Sequence, residues 1–141
     1  MRKSIWTAAL WCLTMLLTTA CVDEKVHPSS KAFIDEYFPL STVVIVEMDD
    51  DDDGAKEYCV LLNDGTKIEF DLQGAWKRVS RNKTGVPATL IPQPITQYLK
   101  KNYPDDVVTK LSKKPYGFKI EISNDMDLRF NEQGQFIEKV D

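Results

Sequence analysis

Phe70-Asp71-Leu72-Gln73-Gly74-Ala75-Trp76 decides the fold, because the chain writes it again as Phe130-Asn131-Glu132-Gln133-Gly134-Gln135-Phe136, an offset of 60 residues (130 − 70). Tyr58, Val60, Leu62 and Ile68 fall on Phe118, Ile120, Ile122 and Leu128 at that same offset. Further upstream, Phe33-Ile34-x-x-x-Phe38-Pro39 is echoed by Tyr98-Leu99-x-x-x-Tyr103-Pro104, an offset of 65 (103 − 38). The change of offset gives the first copy five extra residues, in the segment that holds Asp49-Asp50-Asp51-Asp52-Asp53-Gly54. Self-similarity of this kind marks a repeated supersecondary unit.

Each copy reads as one helix and four strands. Ser29 or Ser30 is placed to cap a short helix whose Phe33, Ile34, Tyr37 and Phe38 form one stripe, stopped by Pro39. The second helix starts near Pro92–Pro94 and carries Ile95, Tyr98, Leu99 and Tyr103. Helices of about ten residues are marginal alone, so both stripes need a sheet to cover. The first strands are expected at 42–48 and 107–113, the second at 58–62 and 118–122, where Tyr58, Val60 and Leu62 alternate as a half-buried strand does. Asn63-Asp64-Gly65 is a hairpin signal, with Asn124-Asp125 its weaker copy. Third strands follow at 66–71 and 126–130; Gly74 and Gly134 then turn the chain into fourth strands at 75–79 and 135–140. The predicted fold class is α+β: two tandem helix-plus-four-strand repeats, residues 29–81 and 87–141, joined by 82–86. They form a two-layer sandwich, an antiparallel sheet with two short helices on one face.

The helix ending in Tyr/Phe-Pro, the Asn-Asp-Gly hairpin and the Phe-x-x-x-Gly-x-Trp/Phe close together resemble the PepSY-like, β-lactamase-inhibitor-like proteins secreted by Bacteroidetes. The likeness spans about residues 29–140. It implies an architecture and carries over no functional residue.

The chain begins Met-Arg-Lys, runs apolar from Ile5 to Leu17 and then reads Thr18-Thr19-Ala20-Cys21, which describes a secretory signal over residues 1–20. The apolar run is shorter than the roughly 20 residues a membrane-spanning helix needs. Small residues before Cys21 are similar to a lipobox, making Cys21 the expected lipidated first residue; ordinary cleavage after Ala20 is the alternative. Residues 21–28 would then be a tether to a single domain at 29–141, exported to the periplasm, outer membrane or cell surface. The whole chain carries −4, and the leader holds Arg2 and Lys3, which leaves −6 beyond it. Residues 22–76 hold 14 acids against 4 bases, while 77–141 hold 12 bases against 8 acids. An acidic protein of this kind does not suit a nucleic-acid partner.

No constellation of catalytic residues emerges. His27 is the only histidine and falls in the expected tether, so a nucleophile has no positioned base and a zinc site lacks ligands. The six glycines are isolated, so no phosphate-binding loop is expected. Neither enzymatic activity nor a cofactor is expected. Cys59 and Leu61 point opposite to Tyr58 and Val60, and their counterparts are Lys119 and Glu121, which marks an open sheet face. Cys59, Leu61, Trp76 and Tyr116 are candidate contact residues on it. Lys77, Arg78, Arg81 and Lys83, with Lys100/Lys101 and Lys113/Lys114 elsewhere, are a candidate docking patch for an acidic glycan or anionic partner. Asp49, Asp50, Asp51, Asp52 and Asp53 form a candidate binding loop. Asp49-x-Asp51-x-Asp53-Gly54 opens like a calcium loop, but Val60 stands where the bidentate Glu belongs, which leaves at most a weak calcium site. The expected function is a non-catalytic extracytoplasmic binding module that contacts a protein, peptide or glycan through its open face and hairpin loops. Alternatives are an inhibitor of a peptidase or β-lactamase that uses the acidic loop as a finger, and a structural subunit of an envelope complex.

Overall fold

The structure, a computed structural model, describes residues 25–51 and 54–140. Helix α1 (Pro28–Tyr37) leads into strands β1 (Val43–Asp50), β2 (Lys56–Leu62), β3 (Lys67–Asp71) and β4 (Trp76–Ser80). A 3-10 turn (Ala88–Leu90) precedes α2 (Gln93–Asn102), β5 (Val108–Lys114), β6 (Gly117–Ile122), β7 (Met126–Asn131) and β8 (Phe136–Val140). The eight strands pair antiparallel in strict chain order, β1 to β8, so the sheet is one continuous meander. The α+β class and both helices agree with the sequence reading. Among the described residues no helix is long and apolar enough to cross a membrane.

The core lies between the helices and one face of the sheet. Val60, Leu62, Ile68, Phe70, Val79, Leu111, Ile120, Ile122, Leu128 and Phe130 project from the strands and are fully buried beside Ile34 and Ile95 of the helices. Each such side chain contributes roughly 1.5–3 kcal/mol by leaving water. The two halves use the same ring contacts. Phe33 of α1 meets Phe70 edge-on at 5.7 Å and stacks on Trp76 at 5.9 Å. Tyr98 of α2 meets Phe130 edge-on at 5.4 Å and stacks on Phe136 at 4.6 Å.

The start of α1 differs from the expected one. His27, not Ser29 or Ser30, is the N-cap: its Nδ1 accepts the Ser29 N–H at 3.2 Å, and Pro28 fills the first turn. Ser30 is buried instead and donates to the Gly74 carbonyl at 3.2 Å, pinning the helix to the β3–β4 turn. Gly74 has φ +84°, and a Cβ there would lie 2.3 Å from His27 Nδ1. Only Gly serves both needs. Val26 is buried as well, so the described end of the expected 21–28 tether is packed against the domain.

Candidate functional site

Alternation sends every second strand residue to the face that no helix covers. The pairing aligns these residues in rows across the sheet. The central row runs Glu47, Cys59, Glu69, Arg78, Ser112, Lys119, Arg129, Glu138, one residue from each strand. Its neighbour runs Ile45, Leu61, Lys67, Ser80, Lys110, Glu121, Asp127, Val140. The face is therefore mainly charged, and its charges pair with each other. Arg78 holds the buried Glu69 at 2.9 Å, Lys110 holds Glu121 at 2.7 Å, Lys119 holds Asp127 at 2.5 Å and Arg129 holds Glu138 at 2.7 Å. At its centre is an open depression of about 250 Å³, floored by Ser112 and ringed by Arg78, Lys110, Lys114 and Lys119, with Glu121 and Asp127 on one side.

Of the four expected contact residues, Cys59 and Leu61 lie half-buried on this face, beside the exposed Ile45. Burial pushes the Cys59 thiol above its ordinary pKa, against the pull of Lys67, so it is kept as the unreactive thiol. Tyr116 is exposed in the β5–β6 connection, with the Arg129 guanidinium 5.6 Å from its ring centre. Trp76 corrects the sequence reading, because it lies on the helix side. A β-bulge between Glu69 and Phe70 makes Lys77 an extra residue of β4, so Trp76 pairs with Phe70 and turns inward against Phe33. The bulge sends Lys77 to the open face, where it bonds Asp51 and Glu57.

The basic patch expected from sequence is also divided. Arg81 holds Asp64 at 2.9 Å and lies over Phe38, and Lys113 sits 4.1 Å above the Trp76 ring on the helix side. Arg78 and Lys114 alone join the depression, where pairing of β4 with β5 and β5 with β6 adds Lys110 and Lys119.

The acidic run is built differently from the expected loop. Asp49 and Asp50 belong to β1, and Asp50 pairs with Lys56 at 2.6 Å. Asp51 N–H donates to the Ala55 carbonyl, Gly54 N–H to the Asp51 carbonyl, and Ala55 N–H to Asp51 Oδ1, each at 2.8 Å. Asp71 makes the same three bonds with Gly74 and Ala75, and Asn131 makes them with Gly134 and Gln135. The motif is an Asx-x-x-Gly turn with Gly at positive φ, and Asp51 begins a third example of it. The other Asp51 oxygen accepts from Lys77, whose ammonium also lies 2.8 Å from the buried Glu57. Burial pulls the Lys77 pKa down, but the bonds to Asp51 and Glu57 outweigh it and hold the group above the usual lysine value. The side chain of Lys77 thus supplies the cation between two carboxylates. Among the described residues no cluster is arranged to hold a metal ion; Asp52, Asp53 and Cys21 lie outside them.

A family model described as "Putative beta-lactamase-inhibitor-like, PepSY-like" matches residues 56–138. A periplasmic protein of unknown function from Bacteroides vulgatus superposes with a TM-score of 0.78 at 27% identity, covering 84% of this chain and 94% of its own. A Bacteroides thetaiotaomicron structure described as a "putative calcium-regulated periplasmic protein" gives a TM-score of 0.76 at 30% identity, with 84% and 92% covered. The search of curated proteins gave no match.

Proposed function

Because the chain belongs to the PepSY-like, beta-lactamase-inhibitor-like family, we propose that it acts as a non-catalytic extracytoplasmic binding module. Its working surface is the open sheet face with the adjoining hairpins, and the class of partner is a protein, peptide or glycan. The observation that carries this reading is the construction of that face: eight strands wide, covered by neither helix, with its charges paired to one another rather than gathered about a reacting centre. The one histidine is spent on capping α1. The matching ring contacts of the two halves support a duplicated helix-plus-four-strand unit, which widens the face to eight strands.

The periplasmic character of the similar structures supports export; residues 1–20 as signal and Cys21 as lipid anchor rest on the sequence pattern. Palmitate labelling of wild type but not of Cys21→Ala is the expected result; equal labelling removes the anchor. Capture of the anchored protein from its native envelope, followed by mass spectrometry, tests the binding reading. Loss of the same partner on charge reversal at Lys119 supports it, and indifference to that change refutes it.

The family description also favours a second reading, in which the acidic hairpin inhibits a hydrolase. It predicts that replacing residues 49–53 by a short turn abolishes inhibition of a peptidase or β-lactamase. The ties of Asp50 to Lys56 and Asp51 to Lys77 weigh against a free acidic finger. Calcium regulation is ascribed to the B. thetaiotaomicron protein; in this chain the cation between Asp51 and Glu57 is the Lys77 ammonium.

A further inference from the structure

We propose that the depression at the centre of the open face is a carboxylate site, taking one Asp, Glu or C-terminal carboxylate of a partner polypeptide. This rests on the open face being the binding surface.

The site follows from register. Arg78, Ser112 and Lys119 are consecutive members of one row across β4, β5 and β6. Strands lie about 4.8 Å apart, so the backbones of the two flanking cations stand roughly 10 Å apart across a residue too short to fill the gap. Lys110 and Lys114 are two residues either side of Ser112 on the same strand face, each roughly 7 Å along it. Four long cations thus surround a serine hydroxyl. Arg78 Nε donates to Ser112 Oγ at 3.2 Å, so the hydroxyl keeps its own proton for an acceptor arriving from above. Gly117 pairs with Lys114 and adds no side chain to that end of the site.

Charge decides the ligand class. Four cations line the depression; Arg78 is paired with Glu69 just outside it, and Lys110 and Lys119 with Glu121 and Asp127 within it, which leaves one uncompensated positive charge on a chain whose formal charge is −4. Glu121 and Asp127 engage Lys110 and Lys119, whereas Lys114 has no ion-pair partner among the described residues. A planar carboxylate above Ser112 meets the serine O–H and the Lys114 ammonium together, as charge-assisted hydrogen bonds require.

The surroundings favour a polypeptide over a polyanion. Glu69 and Glu138 lie along the central row to either side of the depression, and Glu121 and Asp127 lie at its Lys110 end, so a chain bearing a charge at each unit meets repulsion in these directions beyond the one group that fits. Neither central row contains a ring, since Trp76 faces the helices, and the Tyr116 ring beside them is engaged by the Arg129 guanidinium.

The test is titration of the ¹⁵N-labelled full chain with the capped tripeptide acetyl-Gly-Glu-Gly-amide, its Gln analogue and polygalacturonate, followed by NMR. The expected result is saturable shifts of the Ser112, Lys114 and Lys119 amides with the Glu peptide and none with the Gln peptide. Lys114→Gln should weaken binding at least threefold, and Ser112→Asp, which places a carboxylate on the floor, should abolish it with the remaining spectrum unchanged. Absent shifts, shifts confined to other residues, or equal binding by Lys114→Gln overturn the site. Tighter binding of polygalacturonate at the same amides overturns the polypeptide assignment. If the titration fails while envelope capture still depends on the open face, the carboxylate site falls and the binding-module reading stands. If the titration succeeds without such capture, the depression stands as a carboxylate site and its assignment to a partner polypeptide falls.

Discussion

Replacing Lys77 by Met keeps the aliphatic stem and removes the ammonium that bonds Asp51 of the acidic hairpin and Glu57 of β2. Glu57 is then left as a carboxylate whose side chain is only 6% exposed, and Asp51 as one 17% exposed, with no cation between them. Breaking a fully buried pair costs about 3–5 kcal/mol, and an exposed pair contributes about 0.2–1 kcal/mol. Lys77 is itself 32% exposed, so the solvent screens part of the loss, and the expected cost is about 2 kcal/mol. For a domain near 115 residues this lowers Tm by roughly 6–10 °C. Thermal and urea unfolding followed by circular dichroism measure it. The double variant Lys77→Met/Glu57→Gln should be more stable than the sum of the single changes by about 1 kcal/mol. The Lys77 pKa is raised in the fold, so its contribution is complete below the unfolded value of about 10.4 and is lost as pH climbs through the folded value. A wild-type advantage over Lys77→Met that is constant from pH 7 to 9 and shrinks above pH 10.5 is therefore expected. A variant within 0.5 kcal/mol of wild type, with no coupling to Glu57, would refute the ion-pair account of the hairpin.

Lys77→Met also removes the ammonium from between Asp51 and Glu57, so millimolar calcium should raise the Tm of Lys77→Met more than that of wild type; equal responses would show that the lysine does not compete for that place. Asp64 accepts from Thr66 N–H, Ser41 Oγ and Arg81, and these bonds outweigh burial to hold its carboxyl below the usual aspartate value. Its stabilisation is present above about pH 3.9 and lost as pH falls through the lower folded value, so Asp64→Asn should cost about 1 kcal/mol at pH 7 and progressively less as the pH falls below the pKa of a free aspartate. Gly117→Ala places a Cβ 2.3 Å from the Asn131 backbone, which cannot yield as a flexible side chain would. It should lower Tm far more than Gly65→Ala, whose Cβ enters open space at φ +85°. Phe130→Ala should cost about 3–5 kcal/mol and Phe70→Ala about the same, because each ring is fully buried under an equivalent helix aromatic.

The repeated aromatic, Gly and Pro positions made the elements legible, because they mark where strands turn and where short helices stop. The inward set Tyr58, Val60 and Leu62 and the outward pair Cys59 and Leu61 followed from alternation alone. Trp76 did not, since a bulge reverses alternation and leaves no composition signal at Lys77 itself. The Asp51 turn did carry a signal that the sequence reading passed over: Asp51-x-x-Gly54 has the spacing of Asp71-x-x-Gly74, masked by the other carboxylates of the run. The depression was illegible for a different reason. Lys110 and Lys119 meet Arg78 only through pairing of β4 with β5, strands separated by a helix and a long connection in sequence. His27 and Val26 read as tether because nothing local announces that Gly74 and the core receive them.

The claim that the open sheet face is the working surface is tested most directly by placing a photo-crosslinking residue at Lys119, on that face, or at Lys101, in the last turn of α2, and irradiating cells in their native envelope. The account predicts one partner crosslinked from position 119 and not from 101. A partner captured from 101 and not from 119 would contradict it.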